Sequence, residues 1–200
     1  MSTNLVAFTG LAGAGKTTAA LHLVERHGFV RTRFADPLKA MLRAIGLGAE
    51  EIDGSLKERP SALLCGRTPR HAMQTLGTEW GRACVSQDLW TTLWSARAGD
   101  CLDLGGRVVV DDCRFPDEAD VVRRMGGIVV RLSGRGGIAG NHASEAQAFD
   151  ADVELGNAGS LDELRAWLDQ IIAATNVSPT KPANKTATEP FDLARELAEI

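Results

Sequence analysis

Short apolar runs alternate along the chain with segments in which apolar residues recur every three or four positions. The runs predict strands near residues 5–8, 29–34, 107–112, 128–132 and 152–155. The periodic segments predict helices at about 16–27, 36–45, 70–76, 87–97, 117–125 and 161–173. Strands that alternate with helices favour a parallel sheet covered on both faces, so the predicted fold is α/β, with three layers and five strands.

Two of the predicted helices begin with a proline that follows a capping residue, in Asp36-Pro37 and Thr68-Pro69. The side-chain oxygen of such a residue can accept a hydrogen bond from an amide of the first turn. Proline loses nothing there because it lacks the N–H that would be unpaired. We therefore expect both Asp36 and Thr68 to act as caps.

The pattern changes near residue 175. Residues 175–190 contain three prolines and no apolar periodicity, which is typical of a linker. Residues 191–200 predict a short helix that is marginal by itself. The expected organisation is one domain over 1–175 followed by a linker and short helix over 176–200.

The strongest motif lies between the first strand and the first helix. Residues 10–17 read GLAGAGKT and match the pattern GxxxxGK[ST] at every fixed position. Such a loop turns several backbone amides toward phosphate groups, so we expect a P-loop fold, with ATP as the expected phosphate donor. The loop alone could equally belong to a GTPase, a motor or a kinase. Lys16 would reach the β- and γ-phosphates, and the Thr17 hydroxyl would hold Mg²⁺. The predicted nucleotide-binding residues are Gly10, Ala12, Gly13, Ala14, Gly15, Lys16, Thr17 and Thr18.

Two acids end the strand Val108-Val109-Val110. An acid at the carboxyl end of a buried strand lies near the phosphate loop in this architecture. We name Asp111 with Thr17 as the predicted metal ligands, although spacing alone does not choose between Asp111 and Asp112. A strand end with solvated acids is the plain alternative.

Charge is distributed unevenly. The chain carries a net charge of −4, which argues against a general role in binding nucleic acid. Residues 57–97 nevertheless contain six basic residues against three acids. This excess would suit a pocket for a second, anionic substrate, with Arg70 in the first turn of a helix; a solvated basic face is the alternative.

A glycine-rich stretch over about 133–145 would suit a lid that closes over ATP. Arg131 and Arg135 would then bring positive charge to the transferred group. A plain surface loop is the alternative. His142 and Glu145 are further catalytic suspects in this stretch, although Ser144 would equally suit a short helix cap.

The four cysteines show no CxxC or metal-ligand spacing, and no long apolar segment is present. The first residues lack the basic and apolar regions of a signal peptide. We expect a cytoplasmic protein without a membrane partner. A homodimer stays open.

Several motifs in order resemble the deoxynucleoside monophosphate kinases of bacteriophages. They are Phe34-Ala35-Asp36-Pro37-Leu38-Lys39, Thr68-Pro69-Arg70 with Gln74, Gly77-Thr78-Glu79 with Arg82, Asp111-Asp112-Cys113-Arg114-Phe115-Pro116-Asp117-Glu118, and His142 with Ser144-Glu145. The resemblance extends from the first strand to about Ala173. It implies an adenylate-kinase-like fold with a helical substrate-binding insertion over about 36–100, a lid, and host-cytoplasmic location if the protein is encoded by a phage.

The resemblance also implies roles for individual residues. Transfer of the γ-phosphate of ATP to a deoxynucleoside monophosphate would depend on Lys16, Arg70, Arg114 and Arg131. The monophosphate pocket would be lined by Asp36, Lys39, Arg70, Gln74, Arg82 and Asp112. Asp112 and Arg114 would lie where the two substrates meet.

Three alternatives stay open. A related phage kinase could phosphorylate 5-hydroxymethyluracil within DNA, which is the one reading with a nucleic-acid partner. The dephospho-coenzyme A kinases share the implied fold but fit Thr68-Pro69-Arg70 poorly. A binding module gated by ATP would hydrolyse it slowly without an acceptor.

Overall fold

The fold is built on one parallel sheet. A computed structural model of the chain describes residues 3–135 and 149–175, and the statements below concern these residues. The strands are β1 (Leu5–Thr9), β2 (Phe29–Thr32), β3 (Arg107–Val110), β4 (Ile128–Ser133) and β5 (Val153–Gly156). They pair in parallel in the order β2-β3-β1-β4-β5. The predicted five-stranded parallel sheet is confirmed.

Helices connect the strands. They are α1 (Lys16–His27), α2 (Asp36–Ala44), α3 (Ala49–Ile52), α4 (Pro69–Thr75), α5 (Leu89–Asp103), α6 (Pro116–Arg124) and α7 (Leu161–Thr175). Short 3₁₀ turns at Ser55–Glu58 and Ala62–Leu64 and a π-helix at Leu76–Val85 complete the segment between β2 and β3. All six predicted helices are present, whereas α3 and the π-helix carry no signal that the sequence analysis detected.

Two apolar layers cover the two faces of the sheet. Successive strand residues point to opposite faces, so Val6 and Phe8 pack with α1 and α7, whereas Leu5 and Ala7 pack with α5 and α6. A third cluster joins the helices between β2 and β3, and its buried members are Leu38, Leu42, Leu47, Ile52 and Trp90. This third cluster supports the helical segment beside the sheet.

Helix α5 packs both on the sheet and in the third cluster. Its Trp90 lies in the third cluster, whereas Trp94 is 1% exposed and packs on the sheet against Phe34. The indole Nε1 of Trp94 donates a hydrogen bond to Thr32 Oγ1 at 2.9 Å. The predicted insertion over 36–100 therefore includes a helix that also covers the core.

The two predicted caps have different outcomes. Thr68 Oγ1 accepts a hydrogen bond from the amide of His71 at 3.1 Å, which confirms the first. Asp36 does not cap α2, and that prediction is wrong. Its carboxylate accepts instead from the amide and the Nε of Arg33, at 2.9 and 2.8 Å. The charged guanidinium is the better partner for the carboxylate than a helix amide.

Two predicted segments fall outside the described residues. These are most of the lid, including His142 and Glu145, and the tail over 176–200. Among the helices that the structure does describe, none has the length and apolar character needed to cross a membrane.

Candidate active site

The phosphate loop joins the carboxyl end of β1 to the first turn of α1. Gly10, Gly13 and Gly15 have φ angles of 137°, 80° and 98°, a region that side chains other than glycine rarely adopt. A Cβ on Gly10 would lie 2.4 Å from the carbonyl oxygen of Leu132. The glycines therefore give the loop its curl and its close approach to β4.

Lys16 and Thr17 begin α1 and carry polar side chains beside the loop. Lys16 Nζ donates to the carbonyl oxygens of Gly10 and Leu11, at 2.6 and 2.8 Å. The ammonium group thus lies across the concave side of the loop, where the first amides of α1 also favour an anion. Thr17 Oγ1 donates to Asp111 Oδ2 at 2.8 Å.

The structure separates the roles of the two neighbouring acids. Asp111 contacts Thr17 and also accepts from Arg31 Nε at 3.1 Å and Nη2 at 2.5 Å. Asp112 turns to the segment between β2 and α2 and accepts from the amides of Phe34 and Ala35, at 2.9 and 3.0 Å. Burial raises the pKa of the Asp112 carboxyl above its ordinary value. Asp111 is therefore the acid that stands beside the phosphate loop.

The pair formed by Thr17 and Asp111 fits a magnesium ion. Mg²⁺ is held in proteins by carboxylate and hydroxyl oxygens together with water and substrate phosphates. One hydroxyl oxygen and one carboxylate oxygen lie 2.8 Å apart at the edge of the loop, on two rigid elements. The same Asp111 oxygen also accepts from Arg31, so that a bound ion would share this carboxylate with the guanidinium.

Two neighbouring cavities form a cleft beside the loop. The loop cavity, about 610 Å³, is lined by Gly10, Leu11, Ala12, Gly13, Lys16, Thr17, Arg31, Arg33, Lys39, Asp53, Lys57, Arg70, Asp111, Asp112, Cys113 and Arg114. The helical cavity has a volume of about 230 Å³. Six residues line it together with the loop cavity, namely Lys39, Asp53, Lys57, Arg70, Asp112 and Arg114. The others that line it are Phe34, Ala35, Leu38, Ile52, Met73, Gln74, Gly77, Thr78, Arg82, Trp90, Phe115 and Glu118. Six residues line both cavities, so the two cavities are direct neighbours.

Most of the predicted substrate-binding residues line this cleft. Those that do are Lys39, Arg70, Gln74, Arg82 and Asp112, and Arg114 lines both cavities. Asp36 lines neither cavity, because its carboxylate is turned to Arg33. Within the predicted nucleotide-binding set, Ala14, Gly15 and Thr18 do not line the loop cavity.

Acidic side chains hold several of the cations in the cleft. Asp53 accepts from Lys39 at 2.6 Å and from Arg33 and Arg43 at 3.1 Å each. Burial acts to raise the pKa of Asp53, but the hydrogen bond and charge of Lys39 and the two guanidiniums prevail and hold it below its ordinary value. Arg70 pairs in the same way with Glu58.

Arg82 lines the helical cavity. It is 7% exposed and donates to Asp117 Oδ2 at 2.6 Å and to Glu118 Oε1 at 3.0 Å. Its guanidinium carbon lies 4.1 Å from the centre of the Phe115 ring. Burial, and after it the charge of Asp112, raise the pKa of Glu118 to about 8, against the hydrogen bonds that this carboxyl accepts. Arg82 is thus anchored by two acids at the cavity wall.

Arg131 does not reach the cleft, contrary to its predicted place in the catalytic set. In the register of β4 with β5 it stands opposite Glu154, and its Nη1 donates to that carboxylate at 2.9 Å. The other Nη donates to the carbonyl oxygen of Phe149. Arg135 Nη2 donates to the carbonyl oxygen of Gly159 at 2.6 Å. The Arg131 side chain therefore points toward Glu154 on the neighbouring strand, because the two residues are a cross-strand pair.

Several residues of the site were not predicted from the sequence, among them Asp53, which lines both cavities. Arg31 and Arg33 line the loop cavity, and their position at the end of β2 is a signal that could have identified them. Asn157 is buried, and its Nδ2 donates to the carbonyl oxygen of Ala14 at 2.8 Å. Its position directly after β5 is the signal that could have placed Asn157 near the site. Its partner Ala14 is 143 residues away in sequence, so no local pattern indicates this contact.

A glycine-rich phosphate loop between β1 and α1 of a parallel sheet, with an acid of β3 beside it, defines an α/β P-loop protein. No model of a known protein family matches the chain. Among solved structures, APS kinase CysC of Mycobacterium tuberculosis with AMPPNP and APS is 15% identical, with a TM-score of 0.49 over 86% of this chain and 98% of that one. Shikimate kinase of Acinetobacter baumannii with shikimate is 14% identical, with a TM-score of 0.45 over 88% and 97%. At such scores neither likeness carries an argument about the site.

One curated relative is much nearer. The protein of Acanthamoeba polyphaga mimivirus named "Putative deoxynucleotide monophosphate kinase" is 32% identical over 189 residues, which cover 86% of this chain and 96% of the viral protein. The chain belongs to the family of this viral kinase, and it is a phosphotransferase. The relative is viral, and the bacteriophage origin of the present chain stays a prediction.

Proposed function

We propose that the protein transfers the γ-phosphate of ATP to a deoxynucleoside 5′-monophosphate, with Mg²⁺ as the metal. The observation that carries the proposal is that the two cavities are neighbours with six lining residues in common. One contains a phosphate loop, the other has partly apolar walls, and cationic side chains line the zone that they share. A donor in the first and an acceptor in the second would bring their phosphates together in that zone.

Charge in the loop cavity supports the binding of two phosphate chains. Seven cationic side chains line it, namely Lys16, Arg31, Arg33, Lys39, Lys57, Arg70 and Arg114, against the three carboxylates of Asp53, Asp111 and Asp112. This excess lies within a protein whose net charge is −4. Arginine forks match phosphate oxygens with paired hydrogen bonds, and anions in a cleft of low dielectric gain more from them than in water.

The helical cavity supports an acceptor with a flat, partly apolar group. Phe34, Trp90 and Phe115 contribute aromatic rings to its wall, and Gln74 and Thr78 offer hydrogen-bonding groups. Trp90 is fixed by a hydrogen bond from its Nε1 to the carbonyl oxygen of Gly77 at 2.7 Å. Such a pocket suits a nucleobase, whose monophosphate would extend toward Arg70 and Arg114. The curated relative, named for deoxynucleotide monophosphates, supports the same acceptor class.

Catalysis would require little proton transfer from the protein. A monophosphate oxygen is already a competent nucleophile near neutral pH, so alignment and charge neutralisation are the main tasks. Lys16 and the loop amides would bind the donor phosphates, and Arg70 and Arg114 would hold the acceptor phosphate in line. Thr17 and Asp111 would hold Mg²⁺, which would neutralise charge on the transferred group when bound. Asn157 would keep the loop in its curled form.

The test is transfer of radiolabel from [γ-³²P]ATP with Mg²⁺ to each deoxynucleoside monophosphate in turn, with a duplex that contains 5-hydroxymethyluracil offered separately. Label on one or more free monophosphates would support the proposal and identify the accepted bases. Label on the duplex alone would replace it with the DNA-modifying kinase. Slow ATP hydrolysis without transfer to either acceptor would replace it with the ATP-gated module.

A matched pair of arginine variants tests the acceptor site itself. Arg70→Ala should raise KM for the monophosphate at least about tenfold more than KM for ATP, because it removes a charge-assisted contact from one substrate. Arg67→Ala is the control, since Arg67 is exposed and lines neither cavity. If Arg70→Ala affected KM for ATP more than KM for the monophosphate, the role of Arg70 in binding the acceptor would be refuted.

A further inference from the structure

A cluster of two histidines and one aspartate lies on the layer formed by α1 and α7. His22 is in α1, His27 is its last residue, and Asp169 comes from α7. None of the three lines the catalytic cleft. Among the described residues, it is the one group of three or more potential ligands whose donor atoms come close enough to share an ion.

The donor atoms converge on one point. Asp169 Oδ1 lies 2.8 Å from His22 Nε2 and 2.5 Å from His27 Nε2, and the three atoms are all within 4.8 Å of one another. The two imidazole rings meet edge to face, with centroids 5.8 Å apart. The histidine side chains are 12% and 19% exposed and that of Asp169 is 43% exposed. The cluster is therefore partly buried yet open to solvent on one side.

We infer that His22, His27 and Asp169 form a binding site for a first-row divalent transition-metal ion, of which Zn²⁺ is the best match. Two imidazole nitrogens and a carboxylate oxygen suit zinc, whereas magnesium prefers oxygen alone. Ligand atoms around a tetrahedral Zn²⁺ lie roughly 3.3 Å apart, given bonds of about 2.0–2.1 Å. The observed distances to Asp169 need to widen by less than about 1 Å, and solvent would supply the fourth ligand.

Metal binding requires His22 and His27 to release the proton from Nε2. Each histidine that donates to Asp169 carries a proton on Nε2, and a metal needs the lone pair of that nitrogen. On binding, the proton moves to Nδ1 of a neutral ring, or leaves to solvent from a charged ring. The hydrogen bonds from His27 and then His22 hold the pKa of Asp169 below its ordinary value, so that this ligand is already a carboxylate.

The site would fasten two helices that both support the phosphate loop. α1 begins at Lys16, and α7 follows Asn157, whose side chain holds the carbonyl oxygen of Ala14. The carbonyl oxygen of His27 accepts from Arg107 Nη1 at 3.3 Å, which ties the end of α1 to β3. A metal bridge between His22, His27 and Asp169 would therefore stabilise the folded core without entering the reaction.

The test uses the full chain, stripped of metal with a chelator that is then removed, and titrated with ZnCl₂ in a calorimeter without nucleotide. The expected result is one site that is lost when both histidines are changed, in the variant His22→Gln/His27→Gln. Asp169→Asn should weaken the affinity at least about tenfold. Zinc at a hundredfold excess over Kd should raise the Tm of the unchanged protein by about 5 °C and leave that of the double variant where it was.

Two control variants separate this site from other ligands. His71→Gln removes a histidine of α4, and Asp162→Asn removes an exposed acid of the same helix as Asp169; both should bind zinc as the unchanged chain does. Urea unfolding without metal shows whether each variant folds. If the double histidine variant folds and keeps one equivalent of zinc with unchanged affinity, or if the unchanged chain binds none, the inference is overturned.

Discussion

The contact between Asn157 and the phosphate loop offers a sharp test of how the loop is held. Asn157 Nδ2 donates to the carbonyl oxygen of Ala14 at 2.8 Å, in a buried position. The same nitrogen would lie 2.5 Å from a Cβ placed on Gly15, whose φ is 98°. Gly15 is therefore required for two separate reasons, its backbone conformation and the space that Asn157 occupies.

The two reasons have different magnitudes and can be separated by a double-mutant cycle. Asn157→Ala leaves the carbonyl oxygen of Ala14 without its donor, at a cost of about 1–3 kcal/mol. Gly15→Ala should lower the free energy of unfolding by about 1–2 kcal/mol because alanine rarely adopts the left-handed backbone conformation. The collision of its Cβ with Asn157 Nδ2 should lower it by a further amount of about 1–3 kcal/mol. In the double variant the collision is absent. The sum of the single costs should therefore exceed the cost of the double variant by about 1–3 kcal/mol.

The free energies of unfolding come from urea denaturation, and the effect on the nucleotide comes from the KM for ATP. Gly28→Ala is the matched control, because Gly28 has a φ of 69° but nothing within 4 Å of its added Cβ. Its cost should be the same with Asn157 or Ala at position 157. If the costs of Gly15→Ala and Asn157→Ala add to within about 0.5 kcal/mol, the collision does not exist and the reasoning is refuted.

Four further predictions concern other parts of the molecule. Lys16→Ala should lower the rate of transfer at least about a hundredfold while the urea midpoint changes little, because the ammonium acts on phosphates; retained turnover would remove the loop from the mechanism. Asp111→Asn should raise the Mg²⁺ concentration needed for half-maximal rate, measured in a magnesium titration, and an unchanged requirement would exclude Asp111 as a ligand. Because the pKa of Glu118 rises from 4.5 to about 8 on folding, its contribution to stability should fall as pH rises through that interval. The urea midpoint should accordingly drop more between pH 5 and pH 8.5 in the unchanged protein than in Glu118→Gln, and parallel pH profiles would contradict this. Deletion of residues 176–200 should leave kcat and KM nearly unchanged, and a large loss would show that the tail contributes to the core.

The parts of the site that the sequence revealed are those encoded locally. The loop needs glycines, Lys16 and Thr17 within eight consecutive positions, and the strand before it and helix after it are visible as periodicity. The cap at Thr68 is likewise a contact across three residues. These features follow from backbone geometry over a single turn, so a sequence pattern is enough to predict them.

The parts that the sequence did not reveal depend on register and on competing partners. Arg131 turns to Glu154 because β4 and β5 pair in one register, which no local pattern states. Asp36 loses its capping role to the guanidinium of Arg33, only three residues away, so charge had to be weighed against cap preference. Asp111 can be distinguished from Asp112 only when the position of Thr17 relative to the end of β3 is known.

The acids of the cleft explain how so many cations can stand together before a substrate arrives. Like charges in a region of low dielectric repel, and without partners they would destabilise the fold. Asp111 holds Arg31, Asp53 holds Arg33 and Lys39, and Glu58 holds Arg70. These carboxylates keep the cations near the loop, where under the proposed function a phosphate would replace or share them. An uncharged ligand could not neutralise the positive charge of these side chains as a phosphate would. The ion pairs that stabilise the unliganded protein would therefore also select for anionic substrates.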